Sequence, residues 1–100
     1  MIVSFEAQAL EEYQDAAQYS EDRFGLGKAF VLAMEQALEA IALNPERYQS
    51  VGEGIRIFRM KRFPYYLFYH FSDELKQVVI YAVAHHRRQS DYWRGRLPER

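Results

Sequence analysis

The chain has 100 residues, 49% of them hydrophobic and sixteen aromatic, which is enough for one buried core and too few for a second domain. It has no cysteine, which excludes a disulfide framework and a thiolate metal site, and it has no apolar run of about eighteen residues that could cross a membrane. The net charge of −1 conceals an asymmetry: residues 1–53 carry three basic residues against ten acids, and residues 54–100 carry ten against four.

The segment MIVSFEAQ lacks the basic and apolar regions of a signal peptide, so a soluble cytoplasmic protein is expected. Its Ile2–Phe5 run is short and β-prone and predicts a first strand. From Glu6 to about Phe24 the spacing is helical, with Leu10, Tyr13, Ala17 and Phe24 on one face and Glu11, Glu12, Asp15 and Glu21 elsewhere. Gly25-Leu26-Gly27 breaks the pattern and suits a tight helix–helix connection. A second helix over about Lys28–Leu43 should bury Phe30, Met34, Ala37, Leu38 and Ile41, with Asn44-Pro45 as its stop. Residues 46–54 read as loop.

Residues 55–93 then read as three strands in succession. In the first, Arg56, Phe58 and Met60 point one way and Ile57, Arg59 and Lys61 the other. Phe63-Pro64 is a turn. The next strand sets Tyr65, Leu67, Tyr69 and Phe71 against Tyr66, Phe68 and His70, and Gln77 to about Ala84 is continuous enough in Val, Ile and Tyr for a central position. Parity places the first strand antiparallel to the strand after the helices and able to lie beside it. The expected architecture is α+β, β-α-α-β-β-β, a single domain over 1–100 with a helix hairpin on one face of a four-stranded antiparallel sheet and a short C-terminal tail.

With helices on one face, the open face would gather Arg59 and Lys61, with Arg62 beside them, then Tyr66 and His70, and then His85, His86, Arg87, Arg88 and Tyr92 at the end of the last strand. Guanidinium and ammonium groups hold phosphates, aromatic rings stack on unpaired bases, and His or Tyr moves protons. Metal-free RNA cleavage needs a base to take the 2′-hydroxyl proton, cations to stabilise the crowded phosphate and an acid for the leaving oxygen, and His, Tyr, Arg and Lys can supply these. Other uses fit the same residues: Tyr65 and Tyr69 suit the core with a wet hydroxyl, Trp93 suits a pin holding the tail to the sheet, and Arg87 and Arg88 suit carboxylates of the helices or of a partner. Adjacent His85 and His86 would face opposite sides of an extended strand, which argues against a paired metal site. No P-loop, GxGxxG, GxSxG, HExxH or EF-hand pattern is present, and no cofactor is expected.

Two segments carry a family resemblance. FRMKRFPYYLFYHF and VVIYAVAHHRRQSDYW, in a chain ordered strand, helix hairpin, three-strand meander, resemble the RelE/ParE superfamily of type II toxin–antitoxin toxins (plasmid stabilisation proteins) along essentially the whole chain. The resemblance implies a RelE-like fold and a toxin silenced by a cognate RelB/ParD-like antitoxin, with operator DNA met only through the antitoxin complex. RelE-like members cut mRNA at the ribosome without a metal. ParE-like members poison DNA gyrase instead.

Position by position, Arg59 and Lys61 match two RelE-type lysines, Tyr92 falls at the C-terminal tyrosine, and Arg88 matches a nearby arginine. His86 and Tyr66 stand where RelE has arginines, and the net acidity departs from the strongly basic nucleases. The resemblance thus implies ribosome-dependent mRNA cleavage by His85, His86, Arg88 and Tyr92, with Arg59, Lys61, Arg62, Arg87 and Tyr66 binding substrate. Its alternative is gyrase inhibition without nuclease activity.

Overall fold

The computed structural model describes residues 1–89 and 91–98. Strand β1 (Ile2–Phe5) leads into helix α1 (Ala7–Phe24), which Glu6 caps: its Oε1 accepts the free N–H groups of Gln8 and Ala9 at 2.8 and 3.0 Å. Gly25 ends α1 in the left-handed region (φ 65°), so its own N–H and that of Leu26 reach the last carbonyls, Glu21 O and Ser20 O. Helix α2 (Gly27–Leu43) starts at once, because Gly27 has no side chain where Glu21 closes over its N–H at 3.1 Å. It stops before Pro45, as the sequence predicts.

Helix α2 buries Phe30, Met34, Ala37 and Ile41, with Leu38 half-buried, at the expected spacing. Helix α1 differs from expectation. Its buried stripe is Ala9, Ala16 and Ser20, flanked by Tyr13 and Ala17, while Leu10 and Phe24 are exposed. Small residues on the inner face let α1 lie close to the sheet, and the bulk that fills the core comes from α2 and the strands.

The sheet has five strands rather than four: β2 (Gln49–Gly52), β3 (Ile55–Arg59), β4 (Tyr65–Ser72) and β5 (Gln77–His85) join β1 in the order β1-β5-β4-β3-β2. The extra strand, Gln-Ser-Val-Gly, is a short polar edge and so carried no hydrophobic signal. It also reverses the parity of everything after it. Strand β1 therefore lies beside β5, in parallel, with Ile2 opposite Gln77 and Phe5 opposite Ile80, and not beside the first strand of the meander. The α+β class, the helix hairpin on one face and the central place of the last strand stand as predicted.

Both faces of the sheet are covered. Leu67, Tyr69, Val78, Ile80 and Val83 pack against the helices. On the face expected to be open, Ile55, Ile57, Phe68, Ala82 and Ala84 lie under Trp93, which is fully buried with its ring 5.0 Å from that of Phe68. Trp93 does pin the tail. Residues 91–98, with a 3-10 turn at Arg94–Arg96, form a strap across this side. Tyr69 has no wet hydroxyl: its O–H donates to the buried Pro45 carbonyl, and burial pushes the phenol up to about 12. Among the described residues, no helix is long and apolar enough to cross a membrane.

Candidate functional site

Strand β3 ends at Arg59, β4 begins at Tyr65 and β5 ends at His85, so these three termini meet at one end of the sheet. With the strap they enclose a cleft of about 350 Å³. Its floor is apolar, from Ile57, Phe68, Ala84 and Trp93, and its rim carries Arg59, Tyr66, His85, His86, Arg88 and Arg94. An apolar floor with convergent polar groups is the usual form of a binding site.

The rim is ordered by local bonds. Arg59 donates to Gln49 Oε1 at 3.0 Å and lies 5.5 Å from the Tyr66 ring centroid, a cation–π distance. Strand β5 stops at His85, so strict alternation no longer separates the two histidines, and their rings stack at 4.7 Å. His85 Nδ1 accepts the Arg87 N–H at 3.2 Å; burial, then the neighbouring charges of His86 and Arg87, lower its pKa and favour the neutral ring. His86 is bound through its main chain to Pro64 O at 2.8 Å, with Nδ1 at 3.3 Å from the same oxygen. That contact assigns the proton to Nδ1 and leaves Nε2 as the basic nitrogen. Arg94 pairs with Glu53 at 3.3 Å, donates to Val51 O, and lies 4.7 Å from the Trp93 ring.

Tyr92 and Arg88 are organised from elsewhere, by Glu12 of α1. The Tyr92 hydroxyl donates to Glu12 Oε2 at 2.7 Å. Arg96 donates to both carboxylate oxygens at 2.7 and 3.0 Å, and the Val83 N–H donates at 3.0 Å. Arg88 lies 3.7 Å from Glu12 Oε2 and 3.7 Å from the Tyr92 ring centroid, so it is held between the two. Burial raises the Glu12 pKa, but the bonds from Arg96, Tyr92 and Val83 outweigh it, and the carboxyl is held below its ordinary value. Burial first, then the bond to and charge of Glu12, push the Tyr92 phenol far up. Its proton is committed to Glu12.

The expected cluster is therefore divided. Arg59, Tyr66, His85, His86 and Arg88 share the cleft, and Tyr92 lies behind it. Arg87 is exposed on the turn after β5. Lys61 and Arg62 do not join them: the chain leaves the strand after Arg59, and both side chains line a groove on the helix side, with Leu26, Leu32 of α2, Phe58, Met60 and Phe63. His70 sits at the far end of β4, opposite Ile55. Ser90 of the tail motif lies outside the described residues.

Glu12, Arg94 and Arg96 were not singled out from the sequence. The Ala9, Ala16 and Ser20 stripe of α1 carried the signal for Glu12, which sits three residues after Ala9 and four before Ala16, on the inner face.

The family model for the ParE toxin of type II toxin–antitoxin systems, parDE, matches residues 3–90. The chain belongs to the ParE toxin family. This family member shares its fold with the isolated E. coli RelE toxin, at 20% identity over 94% of this chain and 93% of that one, with a TM-score of 0.66. It is also similar to a chain of the chromosomal ParDE system of P. aeruginosa, at 13% identity over 85% and 95%, with a TM-score of 0.61. No curated protein sequence matches it. The ParE-family chain is thus the toxin of a type II toxin–antitoxin system, and the resemblance read from its two motif segments holds.

Proposed function

We propose that this toxin poisons DNA gyrase by binding it, and that the strap-side cleft is a contact surface and not a nuclease site. The observation that carries this reading is the 2.7 Å hydrogen bond from the Tyr92 hydroxyl to the half-buried Glu12 carboxylate. A general acid must present its proton to the leaving oxygen, and a general base must be deprotonated near the working pH. Tyr92 is fitted for neither. Lys61 and Arg62 on the helix side, with Tyr66 and His86 where RelE-like nucleases have arginines, further reduce the charge that a cleaved phosphate would meet. Gyrase as the target follows the ParE branch of the superfamily.

One observation favours the competing reading, ribosome-dependent mRNA cleavage: the basic nitrogen of His86 and the Arg59 guanidinium line the same cleft. Two assays on the purified chain separate the readings. Supercoiling by gyrase should be inhibited, and message in a cell-free translation reaction should keep its 5′ ends. New cuts confined to translated message, with gyrase unaffected, would reverse the proposal.

The cognate antitoxin is proposed to be an acidic, partly disordered segment that folds as it wraps the basic half, covering Arg59, Lys61 and the tail around Tyr92. Because Lys61 and Tyr92 lie on opposite faces of the sheet, such a segment must pass from one face to the other. Operator DNA would be bound through that complex, in the cytoplasm.

A further inference from the structure

Glu12 is remote from the cleft in sequence and stands outside its lining, yet the strap, the turn after β5 and β5 itself all converge on its carboxylate. Its two oxygens offer four acceptor positions, and four hydrogen bonds fill them: Val83 N–H and Arg96 on Oε1, Tyr92 and Arg96 on Oε2. Arg96 passes the constraint on by also donating to Tyr81 O of β5 at 3.1 Å. Arg88 is the one cation in this group that stays substantially exposed, at 55% of its side chain, and it is pinned by Glu12 below and the Tyr92 ring beside it. A guanidinium held in this way presents its remaining donors in a fixed direction without losing rotamer freedom on binding.

We propose that Glu12 is the positioning residue of the cleft: it fixes Arg88, and through Tyr92 and Arg96 it fixes the strap carrying Trp93 and Arg94, so that these form the cationic wall that meets the toxin's target. The inference rests on the reading of the cleft as a target-contact surface. The wall fits carboxylates of an acidic protein segment, since planar guanidinium donors backed by an apolar floor recognise them in bidentate fashion. Glutamine cannot replace Glu12, because its amide nitrogen would face donors.

The test uses growth arrest by the full chain as a function of inducer, together with the emission of Trp93, the single tryptophan. Glu12→Gln is expected to lower potency about tenfold or more and to shift Trp93 emission to the red, with helical circular dichroism retained. In an Arg88→Ala background the same change should cost several-fold less than in the wild type, because the part that acts through Arg88 is already lost while the part that acts through the strap remains. Arg88→Lys guards against a folding defect. It keeps the charge at an exposed position and removes the planar stack, and it should lose about fivefold in potency.

Full potency of Glu12→Gln with Trp93 still buried, an equal loss in both backgrounds, or full potency of Arg88→Lys would each overturn the proposal. Growth arrest reads the toxin whatever its target, so a wild-type chain that arrests growth and leaves gyrase unaffected counts against the target assignment alone.

Discussion

The two faces of this sheet are closed by unlike means. On one, the helix hairpin supplies a continuous apolar cluster in which Phe30 and Met34 are fully buried and Phe30 meets Phe63 and Tyr65 edge to face. On the other, a strap of residues 91–98 brings one fully buried large side chain, Trp93, with Tyr92 and Leu97 packed beside it, and is fastened chiefly by the Glu12 carboxylate and its arginines, with Arg94 paired to Glu53. Apolar burial has no group that titrates and no charge that salt screens, whereas an ion-paired fastening has both. The helix side therefore sets whether the chain folds, and the strap side sets what surface the folded chain presents.

The largest test of that division is Phe30→Ala, which should cost about 3–5 kcal/mol and unfold the whole chain at lower urea, with the helical and Trp93 signals lost together. Next, Glu12→Ala leaves Arg96, with 12% of its side chain exposed, charged and unpaired, at a cost of about 3 kcal/mol. Here the two signals should separate, Trp93 emission changing at lower urea than helical ellipticity. Coincident transitions would erase the distinction between the faces.

A pH titration sharpens the same contrast. The Glu12 carboxyl is held below its ordinary value of 4.5, so its stabilisation is fully present above that pH and is lost as pH falls through the lower folded value. Trp93 emission in the wild type should shift below pH 4.5, and in Glu12→Gln that acid-dependent step should vanish. The smallest expected effect is at the cleft rim. Arg59→Gln removes the cation over Tyr66 and the bond to Gln49, and should cost about 0.5–1 kcal/mol of stability, read as a small fall in melting temperature with the Trp93 and helical signals otherwise unchanged.

The helix-covered face was legible in the sequence because its signals are periodic: Phe30, Met34, Ala37 and Ile41 recur at helical spacing, and Pro45 marks the end. The strap-covered face was only partly legible. Residue type and order suggested a cluster from Arg59 to Tyr92, but what Tyr92 and Arg88 do depends on Glu12, which lies eighty residues before Tyr92 in sequence. Period alone cannot report that pairing. The same is true of β2, whose polar residues become a strand only because β3 is there to pair with them. Lys61 was misplaced for a simpler reason, since alternation was extended past the point where β3 ends, and Arg62 was grouped with it as its neighbour.

The central claim is that the Tyr92 hydroxyl fastens the strap and does no proton transfer, and the growth arrest caused by Tyr92→Phe tests it most directly. The variant keeps the ring under Arg88, and Glu12 keeps Arg96 and the Val83 N–H, so about 1 kcal/mol of stability should be lost and toxicity retained within a few-fold. A fall in toxicity of about 10²–10⁴-fold in a stably folded protein, the size of a lost general acid or base, would contradict the account.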